Sequence, residues 1–271
     1  MPWVSLPQYR FFYRLHGESS APRVCFLHGF MGDSRDFDET IDRLVSTAYC
    51  LTLDLPGHGQ TETSDGMTGY AMPAIAQGIL ALLTQLDFLP CHLVGYSMGG
   101  RLALYLVHRF PESFLSLLAE SASPGLATAS ERQQRQQQDE RWAVELETTD
   151  WSACLAKWYS QPLFAALQDA PCFQPMLQRR QQNCPQTLAL ALRGMSTGVQ
   201  LPLWEALAHL DLPITLLVGD GDLKFRDINQ RMVRSCLTAQ FVVLPNCGHA
   251  PHLEVPALFA AAVQAHLQQV S

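Results

Sequence analysis

Short apolar runs separated by longer stretches of helical period set the pattern of this chain. The runs are VCFL at 24–27, CLTLDL at 50–55, CHLVG at 91–95, FLSLLAE at 114–120, ITLLVG at 214–219 and FVVLP at 241–245. Continuous runs of this length, alternating with helix-period segments, predict an α/β fold with a mostly parallel central sheet. Several end directly in polar or glycine-rich turns: HGFMGDS, DLPGHGQ, GYSMGG, GDGD and NCGHA. These turns fall at the carboxyl ends of the strands, the edge at which open α/β sheets bind ligands. Between about residues 121 and 210 the strand-like runs vanish and Gln-rich helical stretches such as ERQQRQQQDERWAVEL take over. Trp142, Trp151, Trp158 and Phe164, interspersed there, mark ordered helices rather than a low-complexity tract. The expected organisation is a single domain over 1–271, with a core of 1–120 and 211–271 and an inserted helical lid of 121–210.

Length and composition narrow the class without naming the chemistry. A chain of 271 residues has room for one large α/β core with an insertion and is short for two catalytic domains. With 48% hydrophobic and 16% charged residues it reads as globular. The formal charge of -7, from 25 acidic against 18 basic residues, gives no basic field for nucleic acid. Lysine occurs only at Lys157 and Lys224, so the remaining cations are arginines, the side chains suited to gripping carboxylates bidentately. The eight cysteines are scattered without zinc or dithiol spacing and read as reduced thiols. The opening MPWVSLPQYRFFYRLHG lacks a leader pattern and no window suits a membrane helix, so a cytoplasmic location is expected.

The chemistry concentrates in Gly95-Tyr96-Ser97-Met98-Gly99, a G-x-S-x-G elbow between an apolar strand and the helix-like GRLALYLVHRF. A serine hydroxyl needs an imidazole to take its proton and a carboxylate to hold the imidazole tautomer. Asp222, in GDGD past one late strand, and His249, in NCGHA past the next, supply these in the order Ser, Asp, His. His249 also precedes an expected terminal helix over 255–268. Asp220 is the local rival of Asp222, separated from it only by distance from the strand end. His252 reads as a structural or lid contact, and Asp54 as a carboxylate pinning a turn. The segment Leu27-His28-Gly29-Phe30-Met31-Gly32 follows the first confident strand, so the N–H groups of Phe30 and Met98 could form an oxyanion hole, with His28 orienting the loop. Arg101 lies one helical turn past Ser97 and can share its face, while Arg132, Arg135, Arg179 and Arg180 add cations to the lid. Together they would suit a polyanionic substrate.

With these residues in hand, the sequence resembles the 2-succinyl-6-hydroxy-2,4-cyclohexadiene-1-carboxylate synthases of menaquinone and phylloquinone biosynthesis, members of the α/β-hydrolase superfamily. The blocks LHGFMGDSRDF, LDLPGHG, GYSMGGRLALYL, ERQQRQQQDERWA, KWYSQPLF, LRGMSTGVQ, GDGDLKF and GHAPHLEVP carry the resemblance over nearly the whole chain. It implies an α/β-hydrolase fold with a triad of Ser97, Asp222 and His249. It implies substrate-carboxylate arginines at Arg101, Arg135 and Arg180, with Arg132 and Arg179 as neighbouring alternatives, and pocket aromatics at Tyr96 and Trp158. The implied reaction is a lyase step on a small polycarboxylate, expelling pyruvate with no metal or organic cofactor. The expected assembly is a monomer or small homo-oligomer without nucleic-acid or membrane partners. A small-molecule carboxylesterase or carbon-carbon bond hydrolase using the same triad is the alternative, and the arginine set is what separates the two.

Overall fold

The computed structural model describes residues 2–270. Two antiparallel strands, β1 (Trp3–Ser5) and β2 (Tyr9–His16), open the chain. Strands and helices then alternate through β3 (Arg23–Leu27), α1 (Asp38–Ile41), β4 (Tyr49–Leu53), a two-residue β5 (Glu62–Thr63), α2 (Met72–Gln85), β6 (Cys91–Tyr96), α3 (Met98–Arg109) and β7 (Phe114–Glu120). From there to Ile214 the described elements are helical: α4 (Ala129–Thr148), α5 (Trp151–Tyr159), α6 (Ala165–Gln168), α7 (Phe173–Arg180) and α8 (Pro185–Gly194), with short 3-10 turns. The chain then returns to the sheet with β8 (Ile214–Gly219), α9 (Leu223–Ser235) and β9 (Ala239–Leu244), and ends in α10 (Pro251–Glu254) and α11 (Pro256–Gln269).

The strands form one sheet in the order β1-β2-β4-β3-β6-β7-β8-β9, with β5 against β2. Pairing is parallel from β4 to β9 and antiparallel where β2 meets β1, β4 and β5. Successive strand side chains point to opposite faces, and here both faces are apolar. Cys25 and Leu27 of β3 pack with Ile75, Ile79 and Leu82 of α2 and Leu102 and Leu106 of α3. Val24 and Phe26 of the same strand pack on the other side with Ile41 of α1, Phe259 and Val263 of α11, and Leu155 and Leu188 of the inserted helices. Two-sided burial explains why the inner strands read as continuous apolar runs rather than as an alternation.

Helix α4 is polar nearly all round and is fastened at identifiable points. Thr128 and Glu131 form a reciprocal capping box at its start, Glu131 N–H donating to Thr128 Oγ1 at 3.2 Å and Thr128 N–H to Glu131 Oε2 at 2.8 Å. Arg193 of α8 bridges Glu140 and Glu147, and Lys157 of α5 reaches Glu145 at 2.7 Å. Ala143 and Leu146 are its apolar anchors in the core. Among the described residues no helix is long and apolar enough to cross a membrane.

Candidate active site

The tight turn from β6 into α3 dictates glycine at two positions. A Cβ on Gly95 would lie 2.6 Å from Gly99 O, and one on Gly99 would lie 2.2 Å from Leu27 O, inside any possible contact distance. The turn forces Ser97 to φ 48°, ψ −104°, a positive φ that costs a non-glycine residue about 1–3 kcal/mol. The strained residue is fixed on both sides: Ser97 N–H donates to Glu120 O at 2.8 Å, and Arg101 N–H donates to Ser97 O at 2.9 Å. The hydroxyl is left at the N-terminus of α3, where the first-turn N–H groups have no partner inside the helix.

His249 Nε2 lies 3.1 Å from Ser97 Oγ, and its Nδ1 lies 2.6 Å from Asp222 Oδ2. Asp222 is the N-cap of α9, its other oxygen accepting Phe225 N–H at 3.3 Å, so one carboxylate both caps a helix and holds the imidazole. Asp220, the rival carboxylate, faces the loop backbone instead: its Oδ1 accepts Cys247 N–H at 3.2 Å. The rings of Tyr96, Phe225 and Phe164 surround the imidazole at centroid distances of 5.4, 4.6 and 6.1 Å. His252 sits elsewhere, buried with its Nδ1 2.8 Å from Glu120 Oε1. Asp54 pins a turn by accepting Ser34 and Gln60 N–H at 2.7 and 2.8 Å, and His28 braces the loop after β3 by accepting Leu55 N–H at 2.9 Å.

One cavity is lined by nine of the residues singled out from the sequence, Ser97 and His249 with Phe30, Met98, Tyr96, Trp158, Arg101, Arg135 and Arg180, and Asp222 lies directly behind His249. Phe30 meets Trp158 at 5.0 Å, joining the loop after β3 to α5. Arg132 and Arg179 point away. Arg132 donates to Leu126 O and Ala127 O at the start of its own helix, and Arg179 lines a separate cleft with Arg14 and Arg35.

The cations differ in how much of their hydrogen-bonding capacity the protein itself uses. Arg180 is buried, its fork bound by both oxygens of Asp36 at 2.8 and 2.7 Å and its Nε donating to Tyr159 Oη at 3.2 Å. Of the five N–H groups of a guanidinium, that leaves two. Burial opposes the Arg180 charge, but Asp36, Tyr159 and Asp33 together more than offset it and hold its pKa above the usual value. Arg135 is held through Nε alone, by Asp139 at 2.8 Å, and keeps both terminal NH2 groups for a ligand. Arg101 donates to two neutral acceptors, Gln200 Oε1 at 2.8 Å and Met195 O at 2.7 Å. Burial and the nearby Arg135 lower its pKa to about 10. The sequence reading did not single out Lys224 as a site residue. It sits in the first turn of α9 and reaches the cavity wall, where burial and Arg135 lower its pKa. The signal was in the sequence: one of only two lysines, two residues past Asp222.

This geometry can move a proton from a substrate or a hydroxyl to the imidazole, with cations beside it to bind carboxylates. The sequence profile described as the Alpha/beta hydrolase family matches residues 26–262. The chain belongs to that family. A 2-succinyl-6-hydroxy-2,4-cyclohexadiene-1-carboxylate synthase of Enterobacter sp. (strain 638) is 35% identical over 245 residues, covering 90% of this chain and 91% of the relative. The enzyme of the same name from Escherichia coli O1:K1 / APEC is 33% identical over 247 residues, covering 89% and 92%. The solved structure of MenH from S. aureus superposes with a TM-score of 0.89 at 28% identity, covering 97% of this chain and 99% of that one. Within the α/β hydrolases, the chain belongs with the 2-succinyl-6-hydroxy-2,4-cyclohexadiene-1-carboxylate synthases.

Proposed function

We propose that this protein is a lyase that eliminates pyruvate from 2-succinyl-5-enolpyruvyl-6-hydroxy-3-cyclohexene-1-carboxylate to give 2-succinyl-6-hydroxy-2,4-cyclohexadiene-1-carboxylate. Ser97, deprotonated by His249 with Asp222 holding the imidazole, removes a proton beside a carbonyl. The electron pair forms a double bond between ring carbons 2 and 3, the existing ring double bond shifts to carbons 4 and 5, and the bond from carbon 5 to the enolpyruvyl oxygen breaks; the enolate that departs takes up a proton and becomes pyruvate. The N–H groups of Phe30 and Met98 stabilise the enolate-like oxygen. Arg101, Arg135 and Arg180 hold substrate carboxylates, and Tyr96 and Trp158 shape the pocket. The inserted segment 121–210 acts as a lid on a core of 1–120 and 211–271, in a cytoplasmic enzyme working as a monomer or small homo-oligomer.

The observation that carries this reading is the meeting, in one cavity, of the Ser97–His249–Asp222 relay with Arg101, Arg135, Arg180 and Lys224. Hydrolysis of a neutral ester would use the relay and leave the cations without purpose. A carboxylate entering a low-dielectric pocket loses hydration, which guanidinium contacts replace. The test is pyruvate release from the purified intermediate. Release by the unmutated protein and its loss in Ser97→Ala are expected, and a neutral-ester activity far exceeding pyruvate release would favour the esterase.

A further inference from the structure

A catalytic imidazole is aimed by its carboxylate partner, but the Cα that carries it is placed by the loop backbone. The loop of His249 joins β9 to α10 and is conformationally demanding, with Asn246 at φ 59°. One side of it is tied to the loop after β8: Asp220 accepts Cys247 N–H, and Gly221 N–H donates to Cys247 O at 3.0 Å. The other side is held by Glu254, a side chain the proposed mechanism does not use. Glu254 Oε2 accepts Gly248 N–H at 2.5 Å and Oε1 accepts Ala250 N–H at 2.9 Å, so the two oxygens of one carboxylate take the peptide N–H groups on either side of His249. The grip is reciprocal, because Glu254 N–H donates back to Ala250 O at 2.9 Å.

This arrangement needs a carboxylate. Only a carboxylate offers two acceptor oxygens across that span; glutamine offers one acceptor and one NH2 group that would face a donor. Glu254 has no cationic partner in any ion pair among the described residues. Burial raises its pKa, opposed chiefly by the two loop N–H groups. A partly desolvated charge held only by the backbone flanking His249 is an expensive way to shape a loop unless that loop's position matters.

We infer that Glu254 is a positioning residue for His249, fixing the main chain on both sides of the imidazole so that Nε2 stays within reach of Ser97 Oγ. The inference rests on the reading of Ser97 and His249 as the reacting pair. It is tested with Glu254→Gln and Glu254→Asp by following phosphorylation of Ser97 by diisopropyl fluorophosphate, in which the Oγ–P bond forms as fluoride leaves, alongside kcat and KM for pyruvate release. The final extent of labelling counts folded sites, and the rate per site reports imidazole placement. Glu254→Gln should label to the unmutated extent, but on the order of 10²-fold more slowly, as expected for a displacement of about 1 Å. Its kcat should fall in parallel while KM changes little, and Glu254→Asp should recover part of the rate. Labelling and turnover at the unmutated rate per site, with only thermal stability reduced, would overturn the clamp and leave the Ser97–His249 assignment standing. Failure of the unmutated protein to label at Ser97 would overturn both.

Discussion

Ser97 and Asp222 have different parts in the proposed relay, and their variants should differ accordingly. Ser97→Ala relieves a positive-φ strain only slightly and removes the hydroxyl, so activity should vanish while the thermal midpoint stays within a few degrees. Asp222→Asn keeps the hydrogen-bonding shape but cannot hold the imidazole tautomer, so kcat should drop by roughly 10⁴-fold in a folded protein. Asp220→Asn touches only the loop backbone and should cost far less, and a reversal of that order would reassign the carboxylate. The arginines separate in the same way. Arg135→Ala removes an NH2 pair facing the cavity and should lower kcat/KM for pyruvate release by about 10²–10³-fold, the scale of a truncated charge contact, and it also costs stability because buried Asp139 is left with Ser196 Oγ as its side-chain hydrogen-bond partner. Arg180→Ala abandons a buried Asp36 and should also destabilise the fold by about 3–5 kcal/mol, which denaturant unfolding would register. Neutral-ester turnover, where measurable, should barely change in Arg135→Ala; parallel losses would indicate general damage to α4 and its neighbours. The meeting of Ser97, His249 and Asp222 was legible in the sequence because chain order and strand ends fix where the three side chains fall. The choices between Arg132 and Arg135, and between Arg179 and Arg180, were not legible, since three or one residues along a helix change the direction of a side chain but not its composition. Lys224 escaped for the same reason: its reach into the cavity depends on how α9 leaves the loop.

At the scale of elements, five inner strands, β3, β4, β6, β7 and β8, were legible because two-sided burial writes them as apolar runs, and β9 was legible from its apolar run FVVL although it is an edge strand whose residues are mostly half-buried or exposed. The strands β1, β2 and β5 were not identified. They lie at the edge, where Arg10 and Arg14 interrupt the apolar residues of β2 and β5 is two residues long. The expected terminal helix is present but begins at Pro256, with Pro251–Glu254 forming a separate turn before it. A buried polar string ties the inner strands to α11: Ser116 Oγ on β7 lies 2.7 Å from both His92 Nδ1 on β6 and His266 Nε2 on α11. Thr215 Oγ1 on β8 completes it, 2.8 Å from His266 Nδ1. Burial, assisted by His92, lowers the His266 pKa from 6.5 to about 4, and burial lowers that of His92 too. The unfolded chain therefore binds protons between those values that the native protein does not. The stabilisation is fully present above pH 6.5 and is lost as pH falls toward 4, by about 3 kcal/mol for His266 alone. Urea unfolding at pH 7.5 and 4.5 should show this loss, and His266→Gln should make it smaller. An equal loss in the variant would place the acid sensitivity elsewhere.

Over the whole molecule, a net charge of -7 opposes the approach of a polycarboxylate, whereas the cations at the cavity attract it. Ionic strength separates these fields because they act over different distances. The Debye length falls from about 30 Å at 0.01 M salt to about 8 Å at 0.15 M. Charges of both signs are mixed over the molecule, 25 acidic against 18 basic, so their sum is a weak repulsion that salt removes early. Arg101 and Lys224 have no acidic side chain among their hydrogen-bond or ion-pair partners among the described residues, and they act where low-dielectric walls concentrate the field. Attraction at the mouth should therefore dominate. In that case kcat/KM for pyruvate release falls as salt rises over this range, by about tenfold or less. Lys224→Ala, which removes the cation on the first turn of α9 and disturbs no ion pair, should lower kcat/KM most at low salt and flatten the dependence, while kcat at saturating substrate changes little. A neutral ester gives an internal control, since neither field acts on it. Rates of pyruvate release that climb with salt, or a Lys224→Ala variant with the unmutated slope, would show that the surface charge governs encounter and that this lysine does not serve it.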